Sequence, residues 1–239
     1  MLRRIISLAF AAALLPAVIA KAETAAPPVV LELFTSQGCY SYPPADSLLG
    51  ELAKHENVVA LGYHVTYWDR LGWLDPFGTK WGTERQYEYA RSTGEGRVYT
   101  PQLVVDGAKD AVGSDERKVR ALIQRAQATS KPAQPTLGWT KDGKLTVSLP
   151  DAPEAAGAEI WLIHFDEKRH TDILRGENGG KRLAYHKVAR ERASLGRYKG
   201  RAQTIEAAVK PSDTEWGVAV LVQSRGPGRI CGAATILAH

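Results

Sequence analysis

Two thiols are available to this chain, Cys39 and Cys231, and their positions decide which chemistry is open to it. Cys39 follows the apolar run Val29-Val30-Leu31-Glu32-Leu33-Phe34 and precedes Pro43-Pro44-Ala45-Asp46, so it falls where a strand gives way to a helix. Free backbone N–H groups and the positive end of the helix dipole favour a thiolate there, and the thiolate is the reactive form. Further along, Thr100-Pro101 stands directly before the apolar Leu103-Val104-Val105. A proline in that place is often cis and marks a tight turn, which leaves Thr100 free to offer its backbone to a substrate chain beside the sulfur. Ser36 stands three residues before Cys39 and either helps to position a thiolate or bonds the turn, the second being the commoner use of such a hydroxyl. His64 closes a second apolar run whose end belongs on the same edge of the sheet as Cys39, where an imidazole could tune the thiol or move a proton. Residues 63–77 around it are dense in aromatics and include Trp68, Asp69 and Asp75. They form either a substrate groove or a structural cover over the sheet.

These residues need a frame. Residues 29–34 and 58–65 read as buried strands, with a helix between them that has proline in its first turn and Leu48, Leu49 and Leu52 on its apolar stripe. Strand, helix and strand imply a parallel pair with a crossover. A second helix is expected over residues 84–91, a third strand over 103–105 with Asp106-Gly107 as its turn, and a third helix from the Ser114 cap with Val119, Leu122, Ile123 and Ala126 in register. Residues 127–135, with two prolines, read as a linker. Beyond them the pattern turns to β: strands at 137–140 and 145–149 flank Asp142-Gly143, another spans 160–165, and two more flank Gly226-Pro227-Gly228. The mixed run at 182–201 reads as a solvated surface. The expected fold is α/β: a thioredoxin-like domain over residues 27–130, followed by a small, mostly β, sandwich-like domain over 136–239.

Longer motifs sharpen this. Glu32-Leu33-Phe34-Thr35-Ser36-Gln37-Gly38-Cys39, Pro43-Pro44-Ala45-Asp46, Tyr63-His64-Val65 with Tyr67-Trp68-Asp69, Leu71-Gly72-Trp73 with Asp75-Pro76-Phe77, Tyr99-Thr100-Pro101-Gln102 and Arg175-Gly176-Glu177-Asn178 together resemble the secreted bacterial domain-of-unknown-function 1223 family, whose fold is thioredoxin-like. The resemblance covers nearly the whole chain after residue 22. It implies that Arg175, Glu177 and Asn178 belong to the site, although on residue type alone they make an ordinary polar turn. It also exposes a departure: the family usually carries Cys-x-x-Cys, and this chain reads Cys39-Tyr40-Ser41-Tyr42, with Tyr42 in place of the second cysteine and Thr66 where an Asp is usual. A dithiol cycle needs the second thiol to resolve the mixed disulfide. Three roles therefore stay open for Cys39: a monothiol resolved by an outside thiol, a thiol served or bridged by the distant Cys231, or a residue of a domain that only binds.

Residues 1–22 have the plan of a secretory signal, with Arg3 and Arg4, an apolar run and Ala20-Lys21-Ala22 as the cleavage pattern. The expected location is periplasmic or secreted, with no membrane span left after cleavage. Loss of Arg3, Arg4 and Lys21 takes 31 basic residues to 28 against 26 acidic ones, so the formal charge of +5 shrinks to +2 and argues for no nucleic-acid partner. The six histidines match no zinc spacing, and no phosphate loop or hydrolase elbow is present, so neither a metal nor a cofactor is expected. Two classes of function remain: thiol–disulfide exchange with a protein or small thiol partner, or redox-inactive binding of a peptide or small ligand by the aromatic loop and the β domain.

Overall fold

The computed structural model describes residues 26–94 and 96–238, so the expected signal segment lies outside the described residues. The chain starts with β1 (Val29–Thr35), α1 (Pro43–Leu52) and β2 (Val58–His64). It continues through α2 (Lys80–Ser92), β3 (Gln102–Val105), β4 (Lys109–Val112) and α3 (Glu116–Gln127). β1 pairs parallel to β2 and antiparallel to β3, which pairs antiparallel to β4. Both β1 and β2 are nearly all buried because helices cover both faces: α1 and α3 pack against Leu31, Leu33 and Leu103, and α2 packs through Tyr89 against Phe34 and Leu61. Thr79 caps α2 through a bond from Gly82 N, which starts the helix four residues before the expected Glu84.

The second half supplies β5 (Thr136–Trp139), β6 (Leu145–Leu149), β7 (Glu159–Asp172), β8 (Arg182–Arg197), β9 (Gln203–Ala207), β10 (Trp216–Gln223) and β11 (Ile230–Leu237). β5, β6 and β9 form a three-stranded sheet that packs through Leu145, Val147 and Leu149 on Ile160, Leu162, Val218 and Val220. β7, β8, β10 and β11, however, do not form a sheet of their own. They extend the first one into an eight-stranded mixed sheet in the order β11-β10-β7-β8-β2-β1-β3-β4.

The junction is a parallel pairing of β2 with β8 at Gly62 and Val188. It depends on two glycines. A Cβ on Gly62 would stand 3.3 Å from the His186 carbonyl oxygen, and one on Gly50 of α1 would stand 2.5 Å from the His186 ring, so β8 can lie this close only where side chains are missing. The run at 182–201, read from sequence as solvated surface, thus supplies the strand that joins the halves. The segment after α3 is also less free than a linker: Lys131 is buried, 2.9 Å from Asp106, and also donates to the Pro28 carbonyl.

A charged network closes the opposite side of the core. Arg85 of α2 donates to Glu32 of β1 at 2.6 and 3.0 Å and to Gln223 of β10 at 3.2 Å, and the Tyr89 hydroxyl also bonds Glu32. Glu32 and Arg85 are fully buried.

Candidate functional site around Cys39

The turn after β1 is built by hydrogen bonds from three other segments. Gln37 N donates to Asp75 Oδ2 at 2.8 Å, Gly38 N donates to Ser36 Oγ at 3.1 Å, and Tyr40 N donates to Glu177 Oε2 at 3.1 Å. The buried Asn178 amide donates to the Gln37 and Cys39 carbonyls at 3.0 and 2.9 Å, and its own oxygen accepts from Lys181 Nζ. The tip of the β7–β8 hairpin therefore lies over the Cys39 turn, and Glu177 and Asn178 belong to it. Arg175 lies in the same tip, exposed to solvent. Gly176 is seated against Trp73 and has to be glycine on two counts: its φ is positive, at 75°, and a Cβ at this position would stand only 3.2 Å from the Trp73 side chain.

Cys39 itself is half-buried, with Sγ 3.2 Å from Ser41 Oγ. Tyr42 is the residue before α1, and its side chain is 2% exposed. Its hydroxyl lies 2.7 Å from Thr100 Oγ1, which also accepts from Trp68 Nε1 at 2.7 Å. Burial raises the Tyr42 pKa above the usual phenol range, the Thr100 bond lowers it in part, and the neighbouring Cys39 raises it further. Thr100-Pro101 is a cis peptide. Tyr42, Trp68 and Thr100 thus form one bonded wedge beside the Cys39 turn.

His64 plays another part than the one its strand position suggests. It lies 2.7 Å from Asp75 and packs edge-on against Phe77 and Tyr185. Burial works against its charge, but Asp75 and then Asp46 outweigh burial and leave its pKa raised. Asp75 is lowered despite its burial, through His64 and the Gln37 and Phe77 amides. The pair holds the turn from behind through Gln37 and makes no hydrogen bond to the thiol in the described residues. Asp69 Oδ1 accepts from Asp75 N at 3.2 Å and so shapes the aromatic loop. Ser36 bonds the turn and does not bond the sulfur.

Cys231 is also a free thiol. It belongs to the sandwich core with Leu145 and Ile160, and burial raises its pKa. The structure does not join it to Cys39. Ser41, Gln37 and Asp75 are the site residues that sequence reasoning passed over or used only as loop members. For Asp75 the available signal was a carboxylate within an aromatic loop, which needs a buried partner.

With this geometry in hand, comparison with known proteins adds two matches. A family model described as "Protein of unknown function (DUF1223)" matches residues 30–223. A crystal structure of a protein from Agrobacterium tumefaciens, determined as a structural genomics target, is similar with a TM-score of 0.78 and 30% identity over 90% of this chain and 96% of that one. No curated protein matches. Among the described residues no helix is long and apolar enough to cross a membrane, and no three His, Cys, Asp or Glu residues group as metal ligands would.

Proposed function

Because this chain belongs to the DUF1223 family of proteins of unknown function, its activity has to be argued from the site, and we propose that it is an exported, thioredoxin-like monothiol that exchanges disulfides through Cys39. Support for the thioredoxin-like reading comes from the β1–α1–β2 crossover, the antiparallel β3–β4 pair, the helices on both faces and a cis proline facing the cysteine turn. Support for export comes from the signal pattern of residues 1–22.

One observation carries the reading. A half-exposed thiol sits at a braced turn, and Tyr42, three residues on, is buried and bonded to Thr100. In the proposed reaction the Cys39 thiol loses its proton to solvent and attacks one sulfur of a partner disulfide. The partner's S–S bond breaks, its other sulfur leaves as a thiolate, and a mixed disulfide remains on Cys39. An outside thiolate then attacks the partner's sulfur in that mixed disulfide and releases Cys39, so that one disulfide is consumed and one is formed.

The surroundings suit a protein partner. Three of the exposed large hydrophobic residues, Tyr40, Leu74 and Leu174, lie on the three segments that converge at this turn, at 67, 77 and 78% exposure. Scattered apolar side chains are ordinary, but three of them on segments that converge at one turn offer a partner chain apolar contact. The Thr100 backbone makes no hydrogen bond to other backbone in the described residues, so it is open to an extended chain.

Mass spectrometry of the purified protein after incubation with a disulfide-bonded peptide tests this. The expected result is an adduct at Cys39, released by added thiol and absent in Cys39→Ser. A Cys39 that forms no adduct and alkylates no faster than a free cysteine peptide at neutral pH would overturn it. Capture of the same peptide by Cys39→Ser would then assign the surface to binding alone.

A further inference from the structure

The Cys39 turn is backed by a cluster of polar side chains that is shut off from solvent. Thr35 ends β1, Asp46 stands in the first turn of α1, His64 ends β2, Asp75 comes from the aromatic loop and Tyr185 from β8. Each is at most 6% exposed. The Tyr185 ring packs edge-on against His64, with ring centres 4.9 Å apart. The cluster reaches both ends of the turn: Asp75 bonds its start through Gln37 N, and Asp46 sits in the helix that follows it.

Hydrogen bonds decide which member carries the removable proton. Asp75 accepts three: from His64 Nδ1 at 2.7 Å and Gln37 N at 2.8 Å on Oδ2, and from Phe77 N at 2.9 Å on Oδ1. A carboxyl so supplied with donors is ionised, and it holds His64 as an imidazolium. Asp46 is the opposite case. Its Oδ2 is buried and has no hydrogen-bond partner of normal geometry among the described residues, as is true of the Thr35 and Tyr185 hydroxyls. One imidazolium balances one carboxylate, and a second buried carboxylate would leave a charge uncompensated. Asp46 therefore keeps its proton while the cluster is closed. Burial, reinforced by Asp75 and opposed by His64 and Thr35, puts its pKa at about 7. Other charges nearby leave this balance in place. Arg190 of β8 opposes the His64 charge but stands over Phe77, 3.6 Å from Asp166. Asp69 accepts from the Asp75 amide. Glu51 and Lys54 of α1, Lys168 of β7, and Arg182 and His186 of β8 stand along the outer flank of α1 and make no ion pair with Asp46 among the described residues.

We propose that Asp46, His64 and Asp75 form a pH-sensitive lock on the Cys39 turn: with a proton on Asp46 the neutral cluster holds the turn closed, and loss of that proton lets the turn and the first turn of α1 open. The inference rests on the Cys39 reading only for what the opened turn does, which is to present the thiol to a partner disulfide. Asp46 acts through the turn and is a positioning residue. The direction follows from linkage. A carboxyl that binds its proton more tightly in the closed state than in water favours closure below its solvent pKa, and the advantage is lost as pH rises to the closed-state value. Opening therefore grows by up to about tenfold per pH unit between the ordinary 3.8 and about 7, and levels off above.

The test is amide hydrogen exchange of the purified protein between pH 5 and 8, read by NMR and corrected for the intrinsic pH dependence of exchange. The Gln37 amide should lose about tenfold or more in protection from pH 5 to 7 and change little above that. Asp46→Asn, a neutral mimic of the protonated carboxyl, should keep Gln37 protection constant within about twofold over the same range. A measurement on the parent needs no variant: the Asp46 carboxyl carbon shift should titrate near neutrality while that of Asp75 stays constant. The ratio of Cys39 alkylation rates, parent over Asp46→Asn, removes what the two thiols share and should rise with pH. An Asp46 ionised throughout, a Gln37 amide as strongly protected as Val220 of β10 at every pH, or a rate ratio that does not rise overturns the proposal. Cys39→Ser should retain the exchange profile, because the lock needs no sulfur. Failure of the disulfide adduct at Cys39 with this profile intact would refute the exchange reading alone.

Discussion

Placing a second cysteine three residues after Cys39 tests the wedge directly. Tyr42→Cys replaces a side chain that is 2% exposed and packs edge-on against Trp68. Truncating a buried aromatic ring costs about 3–5 kcal/mol when the product is alanine, and a thiol refills a small part of the space, so about 3 kcal/mol is expected. The lost bond to Thr100 adds about 1 kcal/mol. It adds no more, because Thr100 Oγ1 still accepts from Trp68 Nε1 at 2.7 Å and is not orphaned. The reduced variant should therefore be less stable by about 3–4 kcal/mol, which for a chain of this size lowers Tm by roughly 6–16 °C. Tyr42→Phe, which removes only the hydroxyl, should lose about 1 kcal/mol. The variant also gains an internal resolving thiol, so it should catalyse the reduction of insulin by dithiothreitol where the parent does so weakly. Urea denaturation under reducing conditions and insulin turbidity measure the two effects. A loss below about 1 kcal/mol would refute the argument that Tyr42 is a packed element of the turn.

Three further outcomes follow from buried polar contacts. Asn178→Ala removes the bonds to the Gln37 and Cys39 carbonyls; it should cost about 2–3 kcal/mol and speed alkylation of Cys39 as the turn loosens, and an unchanged alkylation rate would show that the hairpin tip does not brace the thiol. Asp46 binds its proton more tightly folded than unfolded, up to about pH 7 against an ordinary 3.8, so stability falls as pH rises through that window and levels off above it. Asp46→Asn should flatten this slope between pH 5 and 7 in urea unfolding, and a slope equal to the parent's would contradict the assignment. Arg85→Met strands the buried Glu32 carboxylate and should cost about 3–5 kcal/mol; the Glu32→Gln/Arg85→Met pair should recover part of that, and a double variant no better than the single one would mean that the charge is not the source.

Much of the first half was legible in the sequence because its signals are local. Short apolar runs, proline in a first helical turn and Thr100-Pro101 each announce themselves within a few residues, and the cysteine turn and cis peptide lie where those signals put them. β8 was not legible. Its register shifts where His164 meets Phe165 on β7, and Lys187 has a φ of 51°, so the period-two pattern breaks midway, and Arg190 and Arg192 stand half-buried against aromatic rings where an apolar residue would have signalled a strand. Glu32 shows the limit differently. A carboxylate inside an apolar strand demands a buried partner, yet nothing local says which of 31 basic residues supplies it, and the answer stands 53 residues away. At the site, residue type alone made residues 175–178 an ordinary turn. Their place over Cys39 comes from pairing across the sheet, which residue type left as one of two readings and the family resemblance favoured.

The continuous sheet changes what the second half is for. If residues 136–239 formed a separate sandwich, the Cys39 turn would be complete in the first half, and the hairpin tip would meet it only by domain docking. Instead β8 pairs with β2 at Gly62, packs its His186 on Gly50 and carries the hairpin from that seat to the turn, where Asn178 bonds the Gln37 and Cys39 carbonyls and Glu177 accepts from Tyr40 N. β10 and β11 meanwhile bury Ala219, Leu221, Ile230 and Ala233 in one core with Phe34 and Leu61. A chain ending at residue 135 would bare that core face, leave the Arg85–Glu32 pair without Gln223 and strip the thiol turn of its brace. The thiol and its brace are thus held by one continuous sheet, and the residues that look most like an accessory β domain are part of the candidate site.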